Sequence, residues 1–221
     1  MEPTTHSGHL IDSQHPDIQA FAQRIVGEAQ DPFRQAVLIY YAIRDGWRYN
    51  PYQFSTRPDA LRASAILQKD EGHCLDKAIL MVATLRAIGI PARLCLAKVR
   101  NHIAVERIIA TFGHDELVPH GYVDCYLEGK WVKATPAFNQ ELCEKLGVDP
   151  LEFDGQTDSM FQQFDRQGGV FMEYLESYGE FEDVPFVFIQ TLMHTHYPHV
   201  FATGEEEITR AHFFPDEPSS T

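Results

Sequence analysis

The chain has 221 residues, of which 44% are hydrophobic and 23% charged, and it carries a formal net charge of −14. That length suffices for one sizeable core, and the composition is that of ordinary globular proteins. The acidic excess argues against nucleic acid or an anionic membrane as a partner. No apolar run approaches the roughly 18 residues that would span a bilayer.

The charge is unevenly spread. Residues 1–140 hold 15 acidic and 15 basic residues, whereas residues 141–221 hold 17 acidic residues against Lys145, Arg166 and Arg210. A solvated acidic face in the last third is the simplest reading. The opening stretch MEPTTHSGHLIDSQHPD has no basic start followed by an apolar segment, so no signal peptide is expected. The expectation is a soluble, cytoplasmic protein. Four cysteines without a CxxC pair make no disulfide framework. Cys95 and Cys125 sit in strand-like runs and read as buried inert thiols.

Taken in chain order, the first helix follows Pro16-Asp17, with Ile18, Phe21, Ala22, Ile25 and Val26 on one face. A second starts at Asp31-Pro32, a cap followed by proline at the first helical position. It buries Phe33, Val37, Tyr40, Tyr41 and Ile43 and stops near Gly46. Residues 46–59 read as a long aromatic loop of the kind that borders sites. A short helix from Asp59 to about Gln68 and a turn at KDEG lead to a third main helix, Cys74 to Ile88. That helix is apolar nearly all round, which predicts burial at the middle of the fold. Gly89 and Pro91 end it. Strands follow at Ala92–Val99 and His120–Leu127, and Glu128-Gly129 turns the chain into a hairpin partner at Lys130–Thr135. Residues 100–119 read equally as strand or short helix. From Asn139 onward the pattern is loosely helical, and FPDEPSST at the end reads as disordered.

Cys74 stands at the first turn of the buried helix. Free amides and the helix dipole there favour a thiolate, and the same amides can hold an oxyanion. A thiol nucleophile needs a base, and His120 opens a strand 46 residues later. A third group would fix the imidazole tautomer.

The run Gly72-His73-Cys74-Leu75-Asp76-Lys77-Ala78, then Leu85-Arg86-Ala87-Ile88-Gly89-Ile90-Pro91-Ala92-Arg93, resembles the transglutaminase-like superfamily, in which G-x-C-x-D-x-A precedes L-R-x-x-G-I-P-A-R. His120-Gly121-Tyr122-Val123-Asp124-Cys125-Tyr126 is similar to that family's H-x-W-x-E-x-Y strand. The resemblance covers about residues 35–138. It implies an α+β, papain-like fold with the Cys helix packed on an antiparallel sheet. It also implies acyl chemistry with Cys74 as nucleophile and His120 as base. One departure stands out. The family's W-V-x-L-D-P-T strand supplies the Asp that orients the histidine, and here Trp131-Val132-Lys133-Ala134-Thr135-Pro136 places Thr135 at that position. A hydroxyl can accept from the imidazole but cannot stabilise an imidazolium as a carboxylate does. Asn139 is a second source of a polar partner, while Asp124 lies roughly 13 Å along the strand from His120. Asp76 reads as a structural carboxylate near the helix start.

Trp47, Tyr49 and Tyr52 are candidates to line the substrate cleft, with core packing as the equal alternative. His194, His196 and His199 could bind zinc if the first two share a strand, but no cysteine or clear acid accompanies them, so surface or cleft-lining histidines are expected, and neither a metal nor another cofactor. The expected organisation is a core over residues 1–139 and an acidic extension over 140–221 that packs on it, as a lid or specificity element, with a disordered tail from about 215. The expected activity is acyl transfer, or hydrolysis of an amide or thioester, on a small-molecule or peptide substrate. The alternatives are a non-catalytic binding module and a small-metabolite cyclase or lyase in the same cleft.

Overall fold

The computed structural model describes residues 2–102, 115–160, 166, 169–170, 172–201 and 206–208. The ambiguous stretch around 105–112 and the tail FPDEPSST lie outside them.

Helix α1 (Pro16–Val26) buries Ile18, Phe21, Ala22 and Val26, as its periodicity predicts. Helix α2 (Pro32–Gly46) starts where Asp31 accepts the Arg34 N–H at 3.0 Å, satisfying one of the free amides of its first turn. Its buried face is rotated from the expected one. Ala36, Ile39, Tyr40, Ile43 and Arg44 are buried, while Phe33, Val37 and Tyr41 lie at the edge. Residues 151–153 cause the shift: the carbonyl of Leu151 accepts from Tyr40 and Arg44, and the Phe153 N–H reaches the Tyr41 hydroxyl.

The long loop holds two short strands, β1 (Arg48–Tyr49) and β2 (Phe54–Ser55). The helix expected over 59–68 is split into a 3₁₀ turn, Pro58–Leu61, and a single α turn, α3 (Ala63–Ile66), broken at the extended Arg62. Strand β3 (Glu71–Gly72) pairs in parallel with β1. Helix α4 (Cys74–Ala87) has every residue buried except Ala87. It ends at Gly89, whose φ of +85° is a conformation that costs a residue with a side chain.

Strands β4 (Ala92–Asn101), β5 (Glu116–Leu127) and β6 (Lys130–Ala134) follow. Next come helix α5 (Gln140–Leu146), strand β7 (Met172–Phe181), helix α6 (Phe186–His196) and strand β8 (Glu207–Ile208). The central sheet is antiparallel, in the order β6-β5-β4-β7, and β8 pairs with β2. Strand β7 corrects the loosely helical reading beyond Asn139. Its acids face the bases of β4: Glu176 registers with Lys98, and Glu173 with Arg100. Such half-exposed pairs each contribute little, but they set a register that the isolated segment does not reveal.

The two faces of the sheet differ. Leu94, Leu96, Val123, Cys125, Val132 and Ala134 join α1, α2 and α4 in the main core. Cys95, Ala97, Val99 and Tyr122 join a second, smaller cluster with Cys74, Ala137, Phe138 and Cys143. All four cysteines are free and buried. No helix among the described residues is long and apolar enough to cross a membrane.

Candidate active site

Cys74 is the first residue of α4, and the turn that presents it is held by an unusual cap. His73 Nδ1 accepts the N–H groups of Leu75 (3.2 Å) and Asp76 (3.3 Å), and the Asp76 carboxylate accepts the His73 N–H (3.3 Å). This is a reciprocal capping box with an imidazole in place of the usual hydroxyl. An accepting Nδ1 requires a neutral ring, and burial pushes the His73 pKa down accordingly. The ring also stacks on Phe54, with centroids 4.6 Å apart. His73 and Asp76 are therefore structural in this site, and the lone histidine in front of a helix was the signal for that cap.

Strand β5 crosses directly against this turn. A Cβ on Gly121 would lie 2.8 Å from Leu75 Cα, so only glycine fits there. Behind this close approach the backbone amides of Gly121, Leu75 and Cys74 itself act on the thiol, each pulling its pKa down. All three favour the thiolate. Burial outweighs them and pushes the thiol pKa up to about 11, so Cys74 rests as a thiol at neutral pH.

His120 immediately precedes Gly121. Side chains alternate along a strand, so Gly121, Val123 and Cys125 face α4, while His120, Tyr122 and Asp124 leave the opposite face. His120 is buried, and burial alone pushes its pKa down to about 4, leaving the imidazole neutral. It lines a pocket with Thr135, Ala137, Phe138, Leu151, Met160 and Met172. None of these carries a carboxylate. Cys74 belongs with Ala137 and Phe138 to the second cluster, so thiol and imidazole share these two walls, and the thiol also lines the cleft beside Tyr49.

Thr135 lines the same pocket as His120. Its N–H donates to the Ser159 carbonyl (2.9 Å), its own carbonyl accepts from Tyr40 (3.2 Å), and its Oγ1 is buried with no hydrogen-bond partner among the described residues. Asn139 is occupied elsewhere: Oδ1 accepts the Tyr49 N–H at 3.1 Å. Asp124 is held by Arg93 at 2.7 Å, whose guanidinium lies 4.0 Å over the Trp131 ring.

Of the three aromatic candidates, Tyr49 lines the Cys74 cleft with Pro51, Phe54, Leu117, Pro119, Met193 and Tyr197. Trp47 packs edge-on to Phe21 in the main core, and Tyr52 sits at that core's margin. His194 and His196 lie on α6 rather than on a strand, and residues two apart on a helix point in divergent directions. Among the described residues no group of three His, Cys, Asp or Glu could hold a metal.

Lys77 was not anticipated. It is fully buried one turn below Cys74, and its Nζ donates to the carbonyls of Arg44 (2.7 Å), Trp47 (2.9 Å) and Ala137 (2.8 Å). It ties the end of α2 and the Ala137 wall to α4, while burial pushes its pKa down to about 7. The available signal was a single lysine inside a helix apolar on every side.

Fold and site together define an α+β protein whose central helix presents a cysteine at its N-terminus beneath an antiparallel sheet. The profile of the transglutaminase-like superfamily matches residues 19–136, and the chain belongs to that superfamily. No curated protein matches it in sequence. Among solved structures it is similar to a presumed cysteine protease from Cytophaga hutchinsonii, at 17% identity and a TM-score of 0.46, over 80% of this chain and 52% of that one. It is also similar to a presumed protease from Parabacteroides distasonis, at 19% identity and a TM-score of 0.41, over 57% of this chain and 24% of that one. The chain thus spans about half the length of the first and a quarter of the second.

Proposed function

We propose that this protein is a cysteine-nucleophile enzyme of acyl transfer, or of amide or thioester hydrolysis, acting on a small-molecule or peptide substrate in the cytoplasm. The observation that carries the reading is a cysteine at the N-terminus of the buried central helix, beside a cleft and under the close crossing of Gly121 against Leu75. In this reading His120 is the base. It takes the thiol proton as sulfur attacks the substrate carbonyl, and it returns the proton to the leaving group. Water or an amine then resolves the acyl-enzyme. The pair starts neutral on both sides, so proton transfer accompanies attack rather than preceding it. Thr135 is the positioning residue for the imidazole. Its hydroxyl offers no charge to the imidazolium, which favours activated acyl groups such as thioesters over plain amides.

The test is acylation of Cys74 by an aryl thioester, followed by intact mass and peptide mapping. Acylation that is lost in Cys74→Ser and His120→Gln supports the reading. Its rate in the wild type should have an acid limb near pH 4, set by His120. Thr135→Asp would place a carboxylate beside the imidazole, so the rate should rise by an order of magnitude or more while the acid limb moves to higher pH. No acyl-enzyme in either form would sink the enzyme reading. Thr135 in the place of the family's Asp favours a second reading, a binding module on the same fold. Thioester acylation separates the two: a Cys74 that iodoacetamide alkylates but no aryl thioester acylates supports the binding module.

A further inference from the structure

The cleft that opens on Cys74 does not end there. It shares Phe54, His73, Leu75 and Met193 with a second cavity that runs under α6 past Leu61, Ile189 and Phe201. The two spaces measure about 450 and 380 Å³ with their mouths included. Both are narrow.

Their lining has a consistent chemistry. No Asp, Glu, Lys or Arg faces either space among the described residues. The amide of Gln190 is committed to the Thr56 carbonyl at 3.1 Å, bracing the far wall. A charged substrate group would lose its hydration there and meet no Asp, Glu, Lys or Arg, the lining imidazoles being His73, committed to the α4 cap, and His194, exposed on α6, whereas an apolar group would exchange water for Leu75, Ile189 and Met193. Met193 stands at the junction and is buried, and an unbranched thioether can swing aside without disturbing its helix.

Resting on the reading of Cys74 as nucleophile, we propose that this continuous slot takes a slender, uncharged apolar group attached to the carbonyl that Cys74 attacks: an unbranched acyl chain or a single aromatic ring. The group enters beside Cys74, displaces Met193 and lies under α6. The C-terminal region thereby sets acyl specificity for a nucleophile supplied by the N-terminal part of the chain.

The experiment alkylates the full chain with iodoacetamide, N-hexyl-iodoacetamide and N-(carboxypentyl)-iodoacetamide, and follows modification of Cys74 by peptide mapping. Each rate is divided by that of plain iodoacetamide on the same variant, which cancels changes in the thiol itself. The hexyl reagent should react at least tenfold faster than the carboxypentyl reagent and should saturate with concentration. Met193→Trp should lower the hexyl advantage at least fivefold. Gln190→Glu, at a partly exposed position that tolerates a carboxylate, should lower it in the same direction. Equal relative rates for the hexyl and carboxypentyl reagents, or a hexyl advantage untouched in both variants, would overturn the proposal. Alkylation needs only an accessible thiol, so the two readings fail separately. Apolar preference without thioester acylation keeps the slot and removes the enzyme. Acylation without apolar preference does the reverse.

Discussion

The same three strands, β4 to β6, build both faces of the sheet, and the two faces do different work. Toward α4 they present Leu94, Leu96, Val123, Cys125 and Val132, which join the main apolar core. Toward the other side they present His120, Tyr122 and Asp124, with Thr135 just beyond β6. The first face is a platform that holds one helix at one height. The second is a small compartment in which each polar group is individually placed. Cys74 belongs to the second by packing, although its helix belongs to the first. Chemistry is thus placed where the stable layer ends, with a rigid support on one side and adjustable polar neighbours on the other.

The largest expected effect would break the tie between the two. Lys77→Met leaves three buried carbonyls without a donor and should destabilise the fold by about 3–5 kcal/mol in urea denaturation. A loss below about 1 kcal/mol would mean that water replaces the ammonium and that the compartment does not depend on it.

The second effect separates the faces by pH. The folded His120 pKa of about 4 lies below the ordinary 6.5. Between these values the unfolded chain binds a proton that the folded chain refuses. The stability is therefore complete above pH 6.5 and falls as pH drops toward 4, by about 3 kcal/mol for this one group. His120→Gln should lose correspondingly less than wild type between pH 7 and pH 4. Identical acid profiles would place the histidine in water rather than in the compartment.

A third substitution tests the contact between strand and helix. Gly121→Ala puts a methyl 2.8 Å from the Leu75 backbone, which cannot yield as a side chain could, so a cost of about 1–3 kcal/mol is expected in thermal denaturation. The same variant should slow Cys74 alkylation by iodoacetamide, because it moves an amide that supports the thiolate. The smallest effect belongs to the cap. His73→Ala should cost about 1 kcal/mol, and His73→Asn should restore most of it.

Much of this was legible before the structure. Asp31-Pro32 announced α2, Gly89 and Pro91 closed α4, and Glu128-Gly129 turned the β5–β6 hairpin with both residues at positive φ. The motif around Cys74 located the helix that became the centre of the fold. Strand β7 was illegible because its acidic, half-exposed pattern becomes a strand only beside the bases of β4. The buried face of α2 was read one step off, because residues 151–153 cover Tyr41 and Arg44 from more than a hundred residues away. His73 caps α4 through its ring nitrogen, a role that depends on the backbone geometry of the first turn.

By itself, then, the sequence determined the caps, the turns, the buried helix and the residue types near the thiol, since each depends on neighbours within about ten positions or on an apolar pattern that has one resting place. Only the tertiary structure decided that His120 and Thr135 line one pocket, that Lys77 ties α2 and the Ala137 wall to α4, and that α6 roofs the space beyond Cys74. Those outcomes depend on which distant segment fills each space, and close packing allows that choice to be made only when the whole chain is assembled.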